Sequence, residues 1–298
     1  MALTISENFR ALFYAPFYAA HATGAYEREG VEVNLRASAS PAASAAALKS
    51  GAADLMWGGP LRVIYAHAED PNSDLVCFCD VVSRDPFFLL GRAPRPNFIL
   101  PDLATLRVAS VSEVPTPWIC LADDIRRAGL DPDTLNRVSG RSMAENAAAL
   151  ARGEVDVIQV FQPHAEELIR SGQGHVWYAQ AHRGPTAYTM LVTRRPTLAA
   201  RREEFQRLTT AMARTLRWFA ATDPGEIAAA LAEFFPSVPG EIFAAAIARY
   251  RALNLWSTTP LPNRAGFDRL HAAMRSSGGL TREVAYETCV DETLARAA

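Results

Sequence analysis

The same nine-residue pattern occurs twice in this chain, and it constrains the fold more than any other feature. Residues 47–55 read Ala-Leu-Lys-Ser-Gly-Ala-Ala-Asp-Leu, and residues 149–157 read Ala-Leu-Ala-Arg-Gly-Glu-Val-Asp-Val. Each copy is the end of a helix with a glycine cap, followed by an aspartate that enters a strand. The repeat predicts a duplicated β/α unit, and we expect a ligand cleft between the two halves.

Strands and helices alternate through the first two thirds of the chain, which is typical of an α/β protein. Helix starts are predicted at Ser40-Pro41 and at the capping box Ser142-Met143-Ala144-Glu145. Two prolines within 92–97 predict a linker, after which the pattern restarts. From Leu198 onward, apolar residues three and four positions apart predict helices. The predicted strands are 3–6, 31–35, 54–57, 75–82, 87–90, 106–109, 135–138, 155–161, 176–180 and 189–193.

Composition excludes several classes of protein. The net charge is −2 and the pI is about 6.3, so no excess of positive charge points to nucleic acid or to an anionic membrane. No run of eighteen apolar residues predicts a membrane span. The first eight residues lack the features of a secretory signal. We therefore expect a cytoplasmic protein as the sequence stands, or a periplasmic one if an export signal is missing from this start.

The opening of the chain resembles a known family. Ala15-Pro16-Phe17-Tyr18-Ala19-Ala20, followed by 24–33, is similar to the start of periplasmic binding proteins of the nitrate, sulfonate and taurine type. That family also includes the yeast-type synthase of the thiamine pyrimidine precursor. The glycine-aspartate repeat and the closing Tyr286…Val290-Asp291 match as well.

The resemblance covers essentially the whole chain and implies a two-lobed type II fold, each lobe a sheet flanked by helices. The first lobe would comprise 1–92 plus 194–298, and the second 93–193. The lobes would close like a clamp over a small solute, with hinge strands near 90–92 and 192–194.

The resemblance also places the ligand at the carboxyl ends of the first strands of each lobe. Hydroxyl and backbone N–H groups there could hold an anion, glycines would let it approach, and aromatic rings would face a flat ligand. Helix capping, turn formation and core packing are the alternatives for the same residues. The candidates in the first lobe are Phe13, Tyr14, Phe17, Ser38, Ser40, Trp57, Gly58, Gly59 and Arg62.

Two arginines are the candidate anion ligands. Arg62 stands in the first turn of its predicted helix, where a cation opposes the helix dipole, and this indicates an anionic partner or a solvated surface arginine. Arg141 precedes a capped helix and could clamp a carboxylate or sulfonate through two hydrogen bonds. His164 could donate a hydrogen bond. The candidates in the second lobe are Ser112, Thr116, Arg141, Ser142, Gln159, Phe161 and His164.

Enzymatic relatives of the family need residues that this chain lacks. The pyrimidine-precursor synthase requires a pyridoxal-phosphate lysine and a histidine in the region 56–62, which here contains neither. Lys49 is the sole lysine and belongs to the end of a predicted helix, away from the expected cleft. The aromatic sulfinate desulfinase uses a cysteine in the first strand-to-helix loop, whereas the first cysteine here is Cys77.

Cys77 and Cys79 are too few ligands for zinc, and the four cysteines, with Cys120 and Cys289, are expected to be buried thiols. We expect neither a cofactor nor a metal. The predicted function is the substrate-binding component of an ABC transporter, with a small anionic or aromatic ligand (sulfonate, carboxylate or pyrimidine-like) and a permease as partner. Two alternatives stay open. One is a cytoplasmic enzyme on this fold, a desulfinase- or decarboxylase-like lyase or a thiamine pyrimidine precursor synthase. The other is a ligand sensor.

Overall fold

The computed structural model describes residues 2–298, which form two compact units. Unit 1 contains the chain up to Arg84, Pro185–His271 and Leu280–Ala298. Unit 2 contains Asp85–Gly184 and Ala272–Gly279. Each unit has one five-stranded sheet with helices around it. The predicted α/β class, with a sheet in each half, is confirmed.

The strands agree with the sequence prediction in order and number, with ends that differ by at most two residues. They are β1 (Leu3–Ser6), β2 (Val33–Arg36), β3 (Leu55–Gly58), β4 (Leu75–Val82), β5 (Phe88–Gly91), β6 (Arg107–Ala109), β7 (Asn136–Val138), β8 (Val157–Val160), β9 (His175–Ala179) and β10 (Thr189–Arg194).

Helices connect the strands and form most of the last third of the chain. None of them within residues 2–298 is both long and apolar enough to cross a membrane. They are α1 (Ala15–Ala22), α2 (Ala25–Arg28), α3 (Pro41–Ser50), α4 (Pro60–Glu69), α5 (Thr116–Arg127), α6 (Met143–Arg152), α7 (His164–Arg170), α8 (Arg195–Ala200), α9 (Arg202–Ala221), α10 (Pro224–Ala230), α11 (Gly240–Ala252), α12 (Arg264–Ser276), α13 (Tyr286–Cys289) and α14 (Thr293–Arg296).

The two sheets share one topology. The strand order is β2-β1-β3-β10-β4 in unit 1 and β7-β6-β8-β5-β9 in unit 2. In each sheet the first three strands are parallel and the fourth is antiparallel to its neighbours. The carboxyl ends of the parallel strands therefore meet at one edge of each sheet, which we call the carboxyl edge.

The repeated pattern has the same structural role in both units. Gly51 and Gly153 end α3 and α6 with φ of 76° and 75°, a left-handed conformation that favours glycine. The Asp54 carboxylate then accepts a hydrogen bond from the Thr4 N–H at 2.8 Å. Asp156 accepts from the Arg107 N–H at 2.8 Å. Each aspartate thus ties its strand to the neighbouring parallel strand and fixes their register.

The structure divides the chain at different positions from those predicted. The division falls after Arg84 and after Gly184, whereas the sequence placed it after residues 92 and 193. The reason is long-range pairing: β5 bonds to β8 and β9, and β10 bonds to β3 and β4. Each antiparallel strand therefore belongs to the unit opposite to the one assigned from sequence. The predicted hinge segments, 90–92 and 192–194, begin inside these two strands.

Asp80 is a buried carboxyl group in the middle of β4. The residue is 0% exposed, and neither carboxyl oxygen accepts a hydrogen bond of normal geometry within residues 2–298. Burial raises the pKa of Asp80 to about 8, and the Val81 N–H opposes this only in part. The folded state therefore favours the protonated carboxyl group at neutral pH.

This burial predicts a pH-dependent stability. The folded pKa lies above the unfolded value, so the contribution of Asp80 is fully present below about pH 4 and is lost as the pH rises toward 8. We expect Asp80→Asn to raise the free energy of unfolding at pH 8 by a few kcal/mol, because each tenfold change in the acid dissociation constant corresponds to about 1.4 kcal/mol. At pH 4 the same substitution is expected to change it little.

Denaturant unfolding at both pH values measures this difference. The exposed Asp268 is the matched control, because Asp268→Asn makes the same chemical change at the surface of the same unit. An equal effect of Asp80→Asn at pH 4 and pH 8 would contradict the raised pKa of Asp80 in the folded state.

Candidate functional site

The nine candidate residues of unit 1 lie at or beside the carboxyl edge of its sheet. Ser38 and Ser40 lie between β2 and α3, Gly58 is the last residue of β3, and Gly59 lies between β3 and α4. The aromatic candidates follow β1, in a 3₁₀ turn and the start of α1, except for Trp57 in β3. The topology therefore gathers residues that are up to about 50 positions apart in sequence.

Four aromatic side chains form one packed cluster at this edge. The rings of Phe17 and Trp57 are stacked, with centroids 4.8 Å apart and an interplanar angle of 6°. The Tyr14 ring lies 6.1 Å from Trp57 and 4.3 Å from Phe13. All four residues are at most 3% exposed. The core-packing interpretation therefore describes Phe13 and Phe17, which carry no polar atoms, while Tyr14 and Trp57 also bring polar groups to the edge.

The indole N–H of Trp57 is a buried donor without an acceptor. Trp57 is 1% exposed, and its Nε1 has no hydrogen-bond partner within residues 2–298. A buried N–H that bonds to nothing costs about 1–3 kcal/mol. Its position at the end of a strand makes a ligand oxygen one group that could satisfy it.

Tyr14 is a neutral phenol with a fixed orientation. Asn8 donates a hydrogen bond from Nδ2 to the Tyr14 hydroxyl at 3.0 Å. Burial raises the pKa of Tyr14 to about 12, and the hydrogen bond from Asn8, the neighbouring Thr189 and the charge of Arg62 oppose this rise. Sequence analysis missed Asn8 and Thr189. For Asn8 a signal existed, since it is a polar residue directly after an apolar strand.

Arg62 is a partly buried cation in the first turn of α4. Its guanidinium has no ion pair within the described chain. Burial lowers the pKa of Arg62, and the nearby Tyr14 phenol partly offsets this lowering. The positive end of the helix dipole makes a cation unfavourable at this position. Arg62 therefore supplies an uncompensated positive charge beside the aromatic cluster.

The serines of unit 1 are used by the fold. Ser40 caps α3, where its hydroxyl accepts from the Ala43 N–H at 3.1 Å. The Ser38 hydroxyl donates to the Ser40 carbonyl at 2.9 Å. The capping interpretation thus accounts for both hydroxyl groups, and ligand contact by them stays a prediction.

The two glycines are not required by backbone conformation. Gly59 has φ of −69°, which any residue adopts, and Gly58 is not in the left-handed region. A Cβ at Gly58 would have only Met56 Cε within 4 Å, at 3.6 Å. The lack of a side chain at Gly58 therefore relieves neither backbone strain nor a close contact.

In unit 2, Gln159 fixes the loop between β6 and α5. Gln159 is 0% exposed. Its Oε1 accepts from the Val111 N–H at 3.2 Å, and its Nε2 donates to the Pro117 carbonyl at 3.0 Å and to Gln180 Oε1 at 2.7 Å. One amide thus holds both ends of the loop that carries Ser112. Gln159 acts here as a positioning residue, and ligand contact by it stays a prediction.

A buried charge network continues from Gln180. Gln180 Nε2 donates to Asp85 at 3.0 Å, and Asp85 pairs with Arg183. Arg183 also donates from Nε to Asp124 at 2.7 Å. Burial raises the pKa of Asp85, while the Arg183 charge lowers it. Sequence analysis missed this network because no local pattern links residues 85, 124 and 183.

The remaining polar candidates of unit 2 have internal partners. Ser112 Oγ accepts from the Gly140 N–H at 2.7 Å. Ser142 forms the predicted capping box with Glu145, which is confirmed. The Arg141 guanidinium lies 3.7 Å from Glu154, so the predicted anion clamp is paired with a carboxylate in this structure. Thr116 begins α5.

Phe161 and His164 follow β8. The Phe161 ring meets Phe87 edge-to-face, with centroids 5.2 Å apart. His164 Nδ1 lies 3.3 Å from a Glu167 carboxylate oxygen, at the start of α7. This pairing satisfies one ring nitrogen, and a ligand contact by His164 stays a prediction.

The protonation of the four thiols and the position of Lys49 are relevant to the enzyme alternatives. Cys77, Cys79, Cys120 and Cys289 are buried, and burial raises the pKa of each thiol. These groups are therefore protonated thiols rather than nucleophilic thiolates. Lys49 is exposed in the last turn of α3, at the opposite edge of the sheet from the candidate residues.

Comparison with known proteins gives consistent matches. The putative binding protein YtlA of Bacillus subtilis (strain 168) is 22% identical over 293 residues, which cover 98% of this chain and 88% of that protein. The alkanesulfonate-binding protein SsuA from Xanthomonas axonopodis pv. citri, bound to MOPS, has a TM-score of 0.74 at 17% identity, covering 98% of each chain. The periplasmic aliphatic sulphonate binding protein SsuA from Escherichia coli has a TM-score of 0.77 at 17% identity, covering 95% of this chain and 94% of that one.

The two structural matches establish a shared fold, that of periplasmic binding proteins. The family described as NMT1/THI5 like matches residues 13–227, which is well over half of the sequence. The expected resemblance is confirmed, and the chain belongs to the NMT1/THI5-like family.

Proposed function

We propose that this chain is a solute-binding protein, the substrate-binding component of an ABC transporter, whose ligand is a small organic anion of the sulfonate or carboxylate class. The observation that carries the proposal is Arg62, a partly buried guanidinium without an ion pair in the described chain. An anionic group on the ligand would neutralise this charge. Two of its oxygens would also match the fork of guanidinium N–H groups.

The surroundings of Arg62 favour the same ligand class. The buried Trp57 N–H and the Tyr14 hydroxyl are both able to donate to an anion. Glu7 also lies near the carboxyl edge, but its carboxylate is bonded to Arg10 and Tyr18. The cluster of Phe17 and Trp57 supplies an apolar wall for the body of the ligand.

The relatives support transport as the context. Two similar structures are sulfonate-binding proteins by name, and one of them is periplasmic by name. A binding protein of this kind would deliver its ligand to a permease, and it would act outside the cytoplasm. Cell fractionation of the native host with an antibody against this chain tests the location.

Native mass spectrometry of freshly purified protein is the direct test of solute binding. We expect an added mass that is lost on denaturation, and a Tm that rises with the concentration of a matching sulfonate or carboxylate. If the recovered solute is converted to a product during incubation, the lyase alternative replaces the proposal. If uncharged solutes bind as tightly as anions, the anion assignment fails.

Replacement of Arg62 tests whether its positive charge contributes to ligand binding. Arg62→Ala is expected to weaken binding of benzenesulfonate or benzoate by about 10- to 100-fold, the usual contribution of charge-assisted hydrogen bonds. Isothermal titration calorimetry measures the effect. Arg214→Ala is the matched control, because Arg214 is 59% exposed and paired with Glu29 in the same unit. Unchanged affinity in Arg62→Ala would contradict the proposal.

Replacement of Trp57 separates the N–H group from the ring. Trp57→Phe keeps an aromatic ring against Phe17 but removes the unpartnered donor. We expect affinity for the same anions to fall about 5- to 10-fold, as for one lost hydrogen bond, while Tm changes little. Thermal unfolding without ligand and calorimetry with ligand give the two readings. A fall in Tm without a change in affinity would assign Trp57 to the core alone.

A further inference from the structure

Arg137 of β7 lies in a fixed orientation that the sequence did not reveal. Its guanidinium carbon lies 3.8 Å from the centroid of the Trp118 ring, a close cation–π contact. Its Nε donates to Ser110 Oγ at 2.8 Å. Ser110 is 0% exposed and follows β6, and Trp118 lies in the first turn of α5. Arg137 is therefore held at the carboxyl edge of the unit 2 sheet by two contacts.

The charge of Arg137 is not compensated by a carboxylate. No ion pair involves Arg137 within residues 2–298, and Asp133, which raises its pKa, lies beyond ion-pair distance. Arg137 as a residue is exposed, and the partial burial of its guanidinium lowers the pKa. Since Nε is used by Ser110, the two terminal amino groups are the donors that remain.

Arg141 differs from Arg137 in its carboxylate partner and in its lack of a ring contact. Its guanidinium faces Glu154 at 3.7 Å, and it has no aromatic contact in the described structure. A ligand anion would have to displace Glu154 from Arg141, whereas Arg137 needs no such exchange. The stacked and bonded guanidinium of Arg137 is also ordered before a ligand arrives, which lowers the entropic cost of binding.

We propose that Arg137, positioned by Trp118 and Ser110, forms an oxyanion site in unit 2 that takes a carboxylate or sulfonate group. This inference rests on the proposed function, since it takes the same ligand class. The oxyanion would accept hydrogen bonds from the two terminal amino groups of Arg137, in the plane of the guanidinium. Trp118 and Ser110 are positioning residues, because they act through Arg137.

The test uses the full chain and four probes: methanesulfonate, benzenesulfonate, benzoate and the uncharged benzamide. Calorimetry gives the dissociation constant of each probe for the native chain and for Arg137→Ala, Arg137→Lys and Ser110→Ala. Arg170→Ala is the matched control, because Arg170 is 45% exposed in the last turn of α7, away from the carboxyl edge. Thermal unfolding of each variant checks that it folds.

We expect Arg137→Ala to weaken binding of the anionic probes about 10- to 100-fold and to leave any binding of benzamide unchanged. Arg137→Lys keeps the charge without the planar fork, so its loss is expected to be smaller, and Ser110→Ala is expected to weaken binding only a few-fold. Arg170→Ala is expected to match the native chain.

Two results would overturn the inference in distinguishable ways. If the anions bind the native chain and Arg137→Ala changes their affinity less than twofold, the assignment of Arg137 fails while the proposed function stands. If none of the anions binds the native chain, the proposed function fails and the inference fails with it.

Discussion

The hydrogen bond between an aspartate carboxylate and the backbone of the neighbouring parallel strand is the contact on which both units depend. Asp54 makes it to Thr4, and Asp156 makes it to Arg107. This hydrogen bond fixes the register of the two adjacent strands, and therefore the position at which each of them ends. A parallel pair has no tight turn that could define its register instead. This alignment brings the strand ends with Trp57 and Gln159, and the helix start with Arg62, to the carboxyl edge of their sheets.

Features that depend on local sequence were predicted well. The glycine caps at Gly51 and Gly153, the capping hydroxyl of Ser40 and the capping box of Ser142 each involve residues within four positions. Such signals are short-range, so they are recognised in the sequence without knowledge of any tertiary contact. The strands followed from hydrophobic periodicity for the same reason, and only their ends shifted.

Features that depend on long-range pairing were not predicted. The division of the chain was misplaced because β5 and β10 each pair with strands far away in sequence. The stacking of Arg137 on Trp118 and the bonding of Arg183 to Asp85 likewise join distant segments. Sequence alone therefore identified the loops that face the carboxyl edges. Which side chains in those loops are already paired, and which are not, depended on tertiary contacts.

The amide of Gln159 has a consequence for how the chain responds to its surroundings. Since one buried side chain bonds to both Val111 and Pro117, the loop between them cannot relax at one end without losing contacts at the other. Both of its bonds to that loop are between uncharged groups, so they are insensitive to salt and to ordinary changes of pH. The geometry of the loop between Val111 and Pro117 should thus stay constant when salt concentration or pH changes. Charged contacts elsewhere in the chain respond to both.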